Sequence, residues 1–210
     1  MNDVSPVTER TGRRDDLADR RAQRAIARAL GESVDAHFED FVQKYQHRLF
    51  GFVLTLVGNR VEAEEIAQDT FVAAYKALLT YDAPRRRALA LRAWLFTIAL
   101  NKVRNRARHA PASSLDDALA EGRVATQDTS LGPAALLERD ERAHAVRQAL
   151  GALAPRYRMP IVLRHLEGFS YDEIAELLDQ PAGTARANVH RGLALLRASK
   201  ELKGATLHAE

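Results

Sequence analysis

The chain has 210 residues, 31 Lys+Arg against 28 Asp+Glu and a formal net charge of +3; it is 46% hydrophobic and 28% charged, the balance of a soluble globular protein. That length suits one medium domain or two small ones. Cysteine is absent, which excludes disulfide staples, thiolate zinc sites, iron–sulfur clusters and cysteine nucleophiles; no apolar run approaches the ~20 residues of a membrane span, and Met1 to Arg14 lacks the apolar segment of a secretory signal.

Residues 1–35 carry seven Arg and seven acids with few large apolar side chains. Leu17, Ile26 and Leu30 lie among alanines there, so this N-terminal extension is either one weakly amphipathic helix or partly disordered. From Phe38 the helical period is firm. Phe38, Phe41, Val42, Tyr45, Leu49, Phe52, Val53 and Leu56 share one stripe, and Gly58-Asn59 ends the helix. A second helix follows, with Ile66, Phe71, Val72, Tyr75, Leu78 and Leu79 as its apolar set, until Asp82-Ala83-Pro84 breaks the pattern. A third runs from about Leu89 through Arg108, with Leu91, Trp94, Leu95, Ile98 and Val103 on one side. Long helices with short connections describe a compact bundle.

His109 to Pro133 loses the periodicity and is rich in Ala, Ser, Asp, Thr and Gly, as a linker is. Apolar periodicity returns at Leu136, Leu137, Val146, Leu150 and Leu153, and three shorter helices follow near Arg156–Leu166, Tyr171–Leu178 and Ala182–Arg197. No stretch alternates as a strand does. The fold class is therefore all-α: two small helical domains joined by a flexible linker. In residue ranges, an N-terminal extension (1–35) precedes the first domain (36–108), the linker (109–134), the second domain (135–200) and a short tail (201–210).

The second domain holds the sharpest local signal. Ser170 and Glu173 form a capping box that starts a helix at Tyr171, Asp179-Gln180 makes a turn, and Pro181 suits the first turn of a further helix. Helix, short turn, helix is the shape that puts its second helix into the DNA major groove. From Gln180 to Lys200 that helix has four basic residues and no acid. Thr184, Arg186, Asn188, His190 and Arg191 offer base-edge or phosphate partners, while Val189, Leu193 and Leu196 face the core. The bland alternative is a helical hairpin with a solvated basic face.

Two charge features lie in the first domain. Between Ala83 and Leu115 there are eight basic residues (Arg85, Arg86, Arg87, Arg92, Lys102, Arg104, Arg106 and Arg108) and no acid, whereas ordinary surfaces mix signs. Asn101, Lys102, Arg104, Asn105 and Arg108 are expected on the face opposite Trp94 and Ile98, which suits a phosphate backbone and base edges. Trp94 is read as core rather than as a base-stacking platform. Glu62, Glu64, Glu65 and Asp69, with Gln68 beside them, cluster at the start of the second helix. Acids there complement the helix dipole, and they also suit a protein-docking face, since they repel DNA.

These motifs resemble, in order, those of bacterial RNA polymerase sigma factors of the extracytoplasmic-function (ECF) type. The run Glu62-Ala63-Glu64-Glu65-Ile66-Ala67-Gln68-Asp69-Thr70-Phe71-Val72-Ala73-Ala74-Tyr75-Lys76 is similar to that family's polymerase-docking helix, and Arg92-Ala93-Trp94-Leu95-Phe96-Thr97-Ile98-Ala99-Leu100-Asn101 to its next helix. The stretch from Leu153 to Arg191 resembles its C-terminal helix-turn-helix domain. The resemblance implies that Glu62, Glu65, Gln68, Asp69, Phe71 and Lys76 bind core RNA polymerase, at the clamp helices of its largest subunit. It also implies that Arg85, Arg86, Arg87, Arg92 and the Asn101–Arg108 face read and open the minus-ten promoter element, with the Tyr81–Arg92 loop as the pocket for an extruded base. The recognition helix takes the minus-thirty-five element, and the acidic linker threads the polymerase. An anti-sigma factor is a further implied partner. No catalytic group, metal or cofactor is needed, because the polymerase does the chemistry, and the expected location is the cytoplasm, without stable membrane insertion.

Some positions depart from the family pattern. Ala185, Ala187 and Asn188 stand where Val, Ser and Arg are common, and Asn favours adenine where Arg favours guanine, so the promoter sequence is not transferable. Pro160 inside the expected first helix of the C-terminal domain should kink it or delay its start. The rival functions are a helix-turn-helix regulator that does not dock on polymerase, a helical metal-dependent hydrolase and a structural adaptor. The regulator lacks any recognisable ligand-binding or phosphoacceptor domain, and the hydrolase lacks HExxH spacing among seven scattered His.

Overall fold

The computed structural model describes residues 7–109 and 133–198, which form nine α-helices and one π turn, with no strand among them. The helices are α1 (Val7–Glu32), α2 (Val34–Val57), α3 (Arg60–Thr80), α4 (Ala83–Ala88), α5 (Leu91–His109), α6 (Pro133–Gly151), α7 (Pro155–Ile161), α8 (Tyr171–Leu178) and α9 (Ala182–Ala198), with the π turn at Val162–Leu166. The expected tail, nearly all of the expected linker, Lys200 and the side chains of Leu17, Leu136 and Leu137 lie outside the described residues.

Short polar residues set most helix ends. Ser33 caps α2 by accepting a bond from the Ala36 N–H, Asn59 caps α3 through Glu62 N–H, and Asp82 caps α4 through Arg85 N–H. Gly58 closes α2 in the left-handed region (φ 78°), where its N–H reaches Leu54 O at 2.8 Å. At α8 the capping box is complete: Ser170 N–H donates to Glu173 Oε2 at 2.7 Å, and Glu173 N–H donates to Ser170 Oγ at 3.2 Å. Asp179 takes the left-handed conformation (φ 52°) at the turn before α9.

Helices α2, α3 and α5 pack around the fully buried Phe41, Tyr45, Leu49, Leu78, Leu95 and Phe96. Residues 7–32 form a single helix, which lies against α2 and α4 and buries Ala27 and Leu30 there. Asp82-Ala83-Pro84 does not open a plain loop. Asp82 caps the six-residue α4, with Pro84 in its first turn, because a missing proline N–H costs nothing there. Val72 and Leu79 leave the apolar set expected of the second helix: each is 52% exposed, on the side of α3 away from α2.

In the C-terminal part, α7 and α9 cross closely, with Ile161, Ala185, Val189 and Gly192 buried between them. The helix carrying Pro160 starts at Pro155, and its disturbance falls just beyond the proline. From Val162 the chain takes one wide turn, in which Glu167 N–H donates to Val162 O at 3.1 Å. Gly168 follows at φ 71°, and Phe169 N–H returns to Leu163 O at 2.9 Å.

Candidate nucleic-acid interface

The acid-rich start of α3 lies open to solvent. Glu65, Gln68, Asp69 and Lys76 are exposed and Glu62 is half-buried, whereas Phe71 packs edge-on against Phe41 with ring centroids 6.0 Å apart. Val72 and Leu79 continue the same outward stripe at helical spacing, so the face is acidic at one end and apolar at the other. The acids also hold cations from α5: Arg106 reaches Glu65 Oε2 at 2.6 Å and Glu62 Oε1 at 3.6 Å, and Lys102 reaches Asp69 Oδ2 at 3.6 Å. Ion pairs this exposed contribute about 0–1 kcal/mol, so a partner that takes the acids displaces them at little cost.

The basic segment divides in three dimensions. In α4, Arg85 stacks its guanidinium 3.8 Å from the Tyr81 ring centroid, Arg86 turns inward with its Nε buried and unpartnered, and Arg87 lies exposed along α1. In α5 the buried side is formed by Leu91, Leu95, Phe96, Ala99, Leu100 and Val103. At about 100° per residue, Asn101, Asn105 and Arg108 therefore fall on the same outward side as Trp94 and Ile98. This corrects the expectation that they lie opposite, since Trp94 and Ile98 flank the buried side instead of forming it. Trp94 is half-buried against Phe41 and Tyr81, with ring centroids 6.4 and 6.2 Å away, and shares its outward edge with the Asn/Arg face. Lys102 turns toward Asp69, Arg104 is half-buried, and Arg108 donates to Asn105 and to Arg104 O.

On α9, Ala185, Val189 and Gly192 face inward. Thr184, Asn188 and Arg191 occupy one flank of the outward arc, and Arg186 with His190 the other. Arg186 lies 5.0 Å over the Tyr171 ring, which directs it along α8, and Asn188 is half-buried. Among the described residues no three His, Asp or Glu cluster as metal ligands, and no helix is long and apolar enough to cross a membrane.

A family model described as Sigma-70 region 2 matches residues 41–111, and one described as Sigma-70, region 4 matches residues 143–196. The RNA polymerase sigma-H factor of Pseudomonas aeruginosa is 35% identical over 161 residues, which cover 73% of this chain and 81% of that protein. The ECF RNA polymerase sigma factor SigW of Bacillus subtilis is 31% identical over 166 residues, 76% of this chain and 87% of that protein. The chain is an ECF sigma factor of the sigma-70 family. Solved structures share the fold. CnrH in complex with the cytosolic domain of CnrY superposes with a TM-score of 0.60 at 27% identity, covering 84% of this chain and 96% of that one. The sigma factor RpoE in complex with the anti-sigma factor NepR, from Bartonella quintana, gives 0.58 at 25% identity, covering 79% and 98%.

In this sigma factor the two matched segments touch, and the residues that join them were not evident from the sequence. The π turn and Gly168 carry Glu167 and Phe169 onto α2 and α5. Arg48 donates to Glu167 Oε2 at 3.3 Å and to Glu167 O at 3.2 Å, and Arg92 donates to Glu167 O at 3.1 Å. Arg92 also lies 4.2 Å over the Phe169 ring, which meets Phe96 edge-on at 5.5 Å. Burial holds the Glu167 carboxyl above the usual glutamate value; the neighbouring charge and hydrogen bond of Arg48, and the charge of Arg92, only partly offset it. At the far edge Arg158 donates to Leu56 O at 2.6 Å, ending α2, and to Gly151 O and Leu153 O on its own side; desolvation lowers its pKa. Arg92, a candidate minus-ten residue, is thus engaged by the C-terminal domain in this arrangement. One signal was available in advance: a glycine directly before an aromatic, Gly168-Phe169, outside any helix.

Proposed function

We propose that this sigma factor divides its work by the sign of its surfaces. The protein binds core RNA polymerase and directs promoter-specific initiation, each through its own set of residues. The exposed face of α3 (Glu62, Glu65, Gln68, Asp69 and Lys76, with Phe71 behind them) is assigned to polymerase docking. Val72 and Leu79 add the apolar area that such an interface needs at its centre. Helices α4 and α5 are assigned to the minus-ten element, through Arg85–Arg87, Arg92, Asn101, Lys102, Arg104, Asn105 and Arg108. Helix α9 is assigned to the minus-thirty-five element, where Thr184, Asn188 and Arg191 enter the groove and Arg186 and His190 flank it. In residue ranges the division is 36–108, a linker at 109–134 and 135–200, with α1 grouped with the first domain on which it packs.

The observation that carries this reading is the separation of sign. Glu62, Glu65 and Asp69 share one side of α3, where only weak exposed pairs to Lys102 and Arg106 of α5 cover them, while the basic residues of α4 and α9 stand on helices that carry no acid. A phosphate backbone favours the second and rejects the first. Because Arg92 is bound to Glu167 and Phe169, full engagement of promoter DNA requires the two domains to part. The structural relatives were captured with a CnrY domain and with the anti-sigma factor NepR; by that analogy an anti-sigma factor is the third partner and holds this protein off the polymerase. We assign it a cytoplasmic location and a role by binding alone, without cofactor. Run-off transcription with core polymerase on promoters selected from a random library tests the assignment. A transcript that appears only with this protein and depends on both promoter elements is expected; one that does not depend on them overturns it.

A further inference from the structure

Helix α1 lies outside both segments that match the sigma-70 family models, and it is fixed tightly to the first domain. Asp19 is held by Lys44 at 2.9 Å and Arg48 at 3.8 Å on α2, and Gln23 donates to it at 2.9 Å. Burial raises the pKa of Asp19, but these hydrogen bonds and charges outweigh it and leave the carboxyl below its usual value. Further along, Leu30 is fully buried. Its neighbour Gly31, also buried, meets α4 with no side chain between. A Cβ on Gly31 would lie 2.5 Å from Arg87 Cγ, 2.8 Å from Nε and 3.2 Å from Cδ. These atoms run the length of the Arg87 stem, so any larger residue forces Arg87 out of its rotamer.

The three arginines of α4 are each held differently. Arg85 lies on the Tyr81 ring and Arg86 is drawn inward, whereas the stem of Arg87 runs past Gly31 of another helix, through space that a Cβ there would fill. We infer that Gly31 is a positioning residue for minus-ten recognition. The channel it leaves along α1 fixes the direction in which Arg87 leaves the protein, so α1 takes part in setting promoter specificity. This rests on the assignment of α4 and α5 to the minus-ten element.

The test uses holoenzyme assembled from core polymerase and four forms of the full chain: wild type, Gly31→Ala, Arg87→Ala and the double variant. The probe is fork-junction DNA with a single-stranded minus-ten strand, in a series of single-base substitutions of the sequence that wild-type holoenzyme selects. Gly31→Ala should keep its affinity for core polymerase and its melting temperature, because alanine is the better helix former. It should lose roughly tenfold of the discrimination between bases at one minus-ten position, the scale of one well-placed arginine contact. In the Arg87→Ala background, where the stem is gone, Gly31→Ala should change nothing. An unaltered base profile for Gly31→Ala overturns the inference, as does an effect of equal size with and without the Arg87 side chain. A normal profile for Arg87→Ala itself, or the absence of any minus-ten preference in the wild type, instead brings down the assignment of α4 on which the inference stands.

Discussion

Replacing Arg48 by alanine should loosen the contact between the two domains while leaving each folded. Arg48 supplies two hydrogen bonds to Glu167, whose side chain is only 7% exposed, and its removal leaves a buried carboxylate facing the carbonyl-bound Arg92 alone. Hydrogen bonds to a charged group contribute about 1.5–3 kcal/mol. The Arg48 side chain is 38% exposed, so water screens and partly replaces it, and a loss of about 1–3 kcal/mol is expected. That shifts the balance between joined and parted domains by about 5–150-fold. The chain has no native cysteine, so dyes placed through Val61→Cys and Leu195→Cys, at residues 65% and 49% exposed, report the separation by single-molecule energy transfer. The sign of the pH effect follows from Glu167. Its pKa is raised in the joined form, so joining is most favourable below the usual glutamate value near 4.5 and weakens as pH rises through the raised value. Glu167→Gln keeps the shape without the ionisation penalty and should leave the joined population at neutral pH equal or larger. The Arg48→Ala defect should shrink in acid. An unchanged transfer histogram for Arg48→Ala, or an equal opening by Glu167→Gln, refutes the reasoning.

Three further outcomes are expected. Converting Gln68 and Asp69 to Lys should abolish core-polymerase capture with no loss of helical circular dichroism, because both side chains are exposed; retained capture would remove α3 as the docking face. Gly192→Ala should lower the melting temperature, since its Cβ would lie 2.4 Å from Ile161 Cδ1 and 3.1 Å from Tyr157 Cβ. Overpacking costs about 1–3 kcal/mol against a helix-propensity gain of about 1 kcal/mol, for a net loss of up to about 2 kcal/mol; a raised melting temperature contradicts the close α7–α9 crossing. Arg191→Ala should weaken duplex binding by about 1–3 kcal/mol and relax preference at one base if it makes a bidentate contact, whereas Arg186→Ala, on the other flank, should weaken all sequences alike. Titration of variants at several salt concentrations separates the two.

The helices and their ends were legible because their causes are local. Capping by Ser170 and Glu173, the positive φ of Gly58 and the apolar stripe of α2 each depend on residues within about four positions. The same short reach leaves other features to the packing. Asp82-Ala83-Pro84 does end the second helix, but the same residues also start α4, because proline begins helices as readily as it ends them. Val72 and Leu79 belong to the apolar set of the second helix yet stay exposed, because apolar character alone does not say which side of α3 has neighbours. Asn101 and Asn105 share the side of Trp94 and Ile98 because the apolar set of α5 is wider than its buried side, which Leu91, Leu95, Ala99 and Val103 occupy.

By itself, the sequence determined the all-helical architecture, the helix-turn-helix, the alternation of acidic and basic segments and, through ordered motifs, the family. Tertiary structure alone decided how these surfaces are deployed. Glu167 meets Arg48 across 119 positions and Arg92 across 75, and Arg87 meets Gly31 only because α1 folds back over α4. Such contacts leave no periodic trace: they depend on how whole helices dock, and a one-residue change of register, such as the π turn after Pro160, re-aims the side chains that make them. Charge at each position was fixed by composition, but whether an arginine is free for DNA, paired with an acid or held by a carbonyl was set by packing.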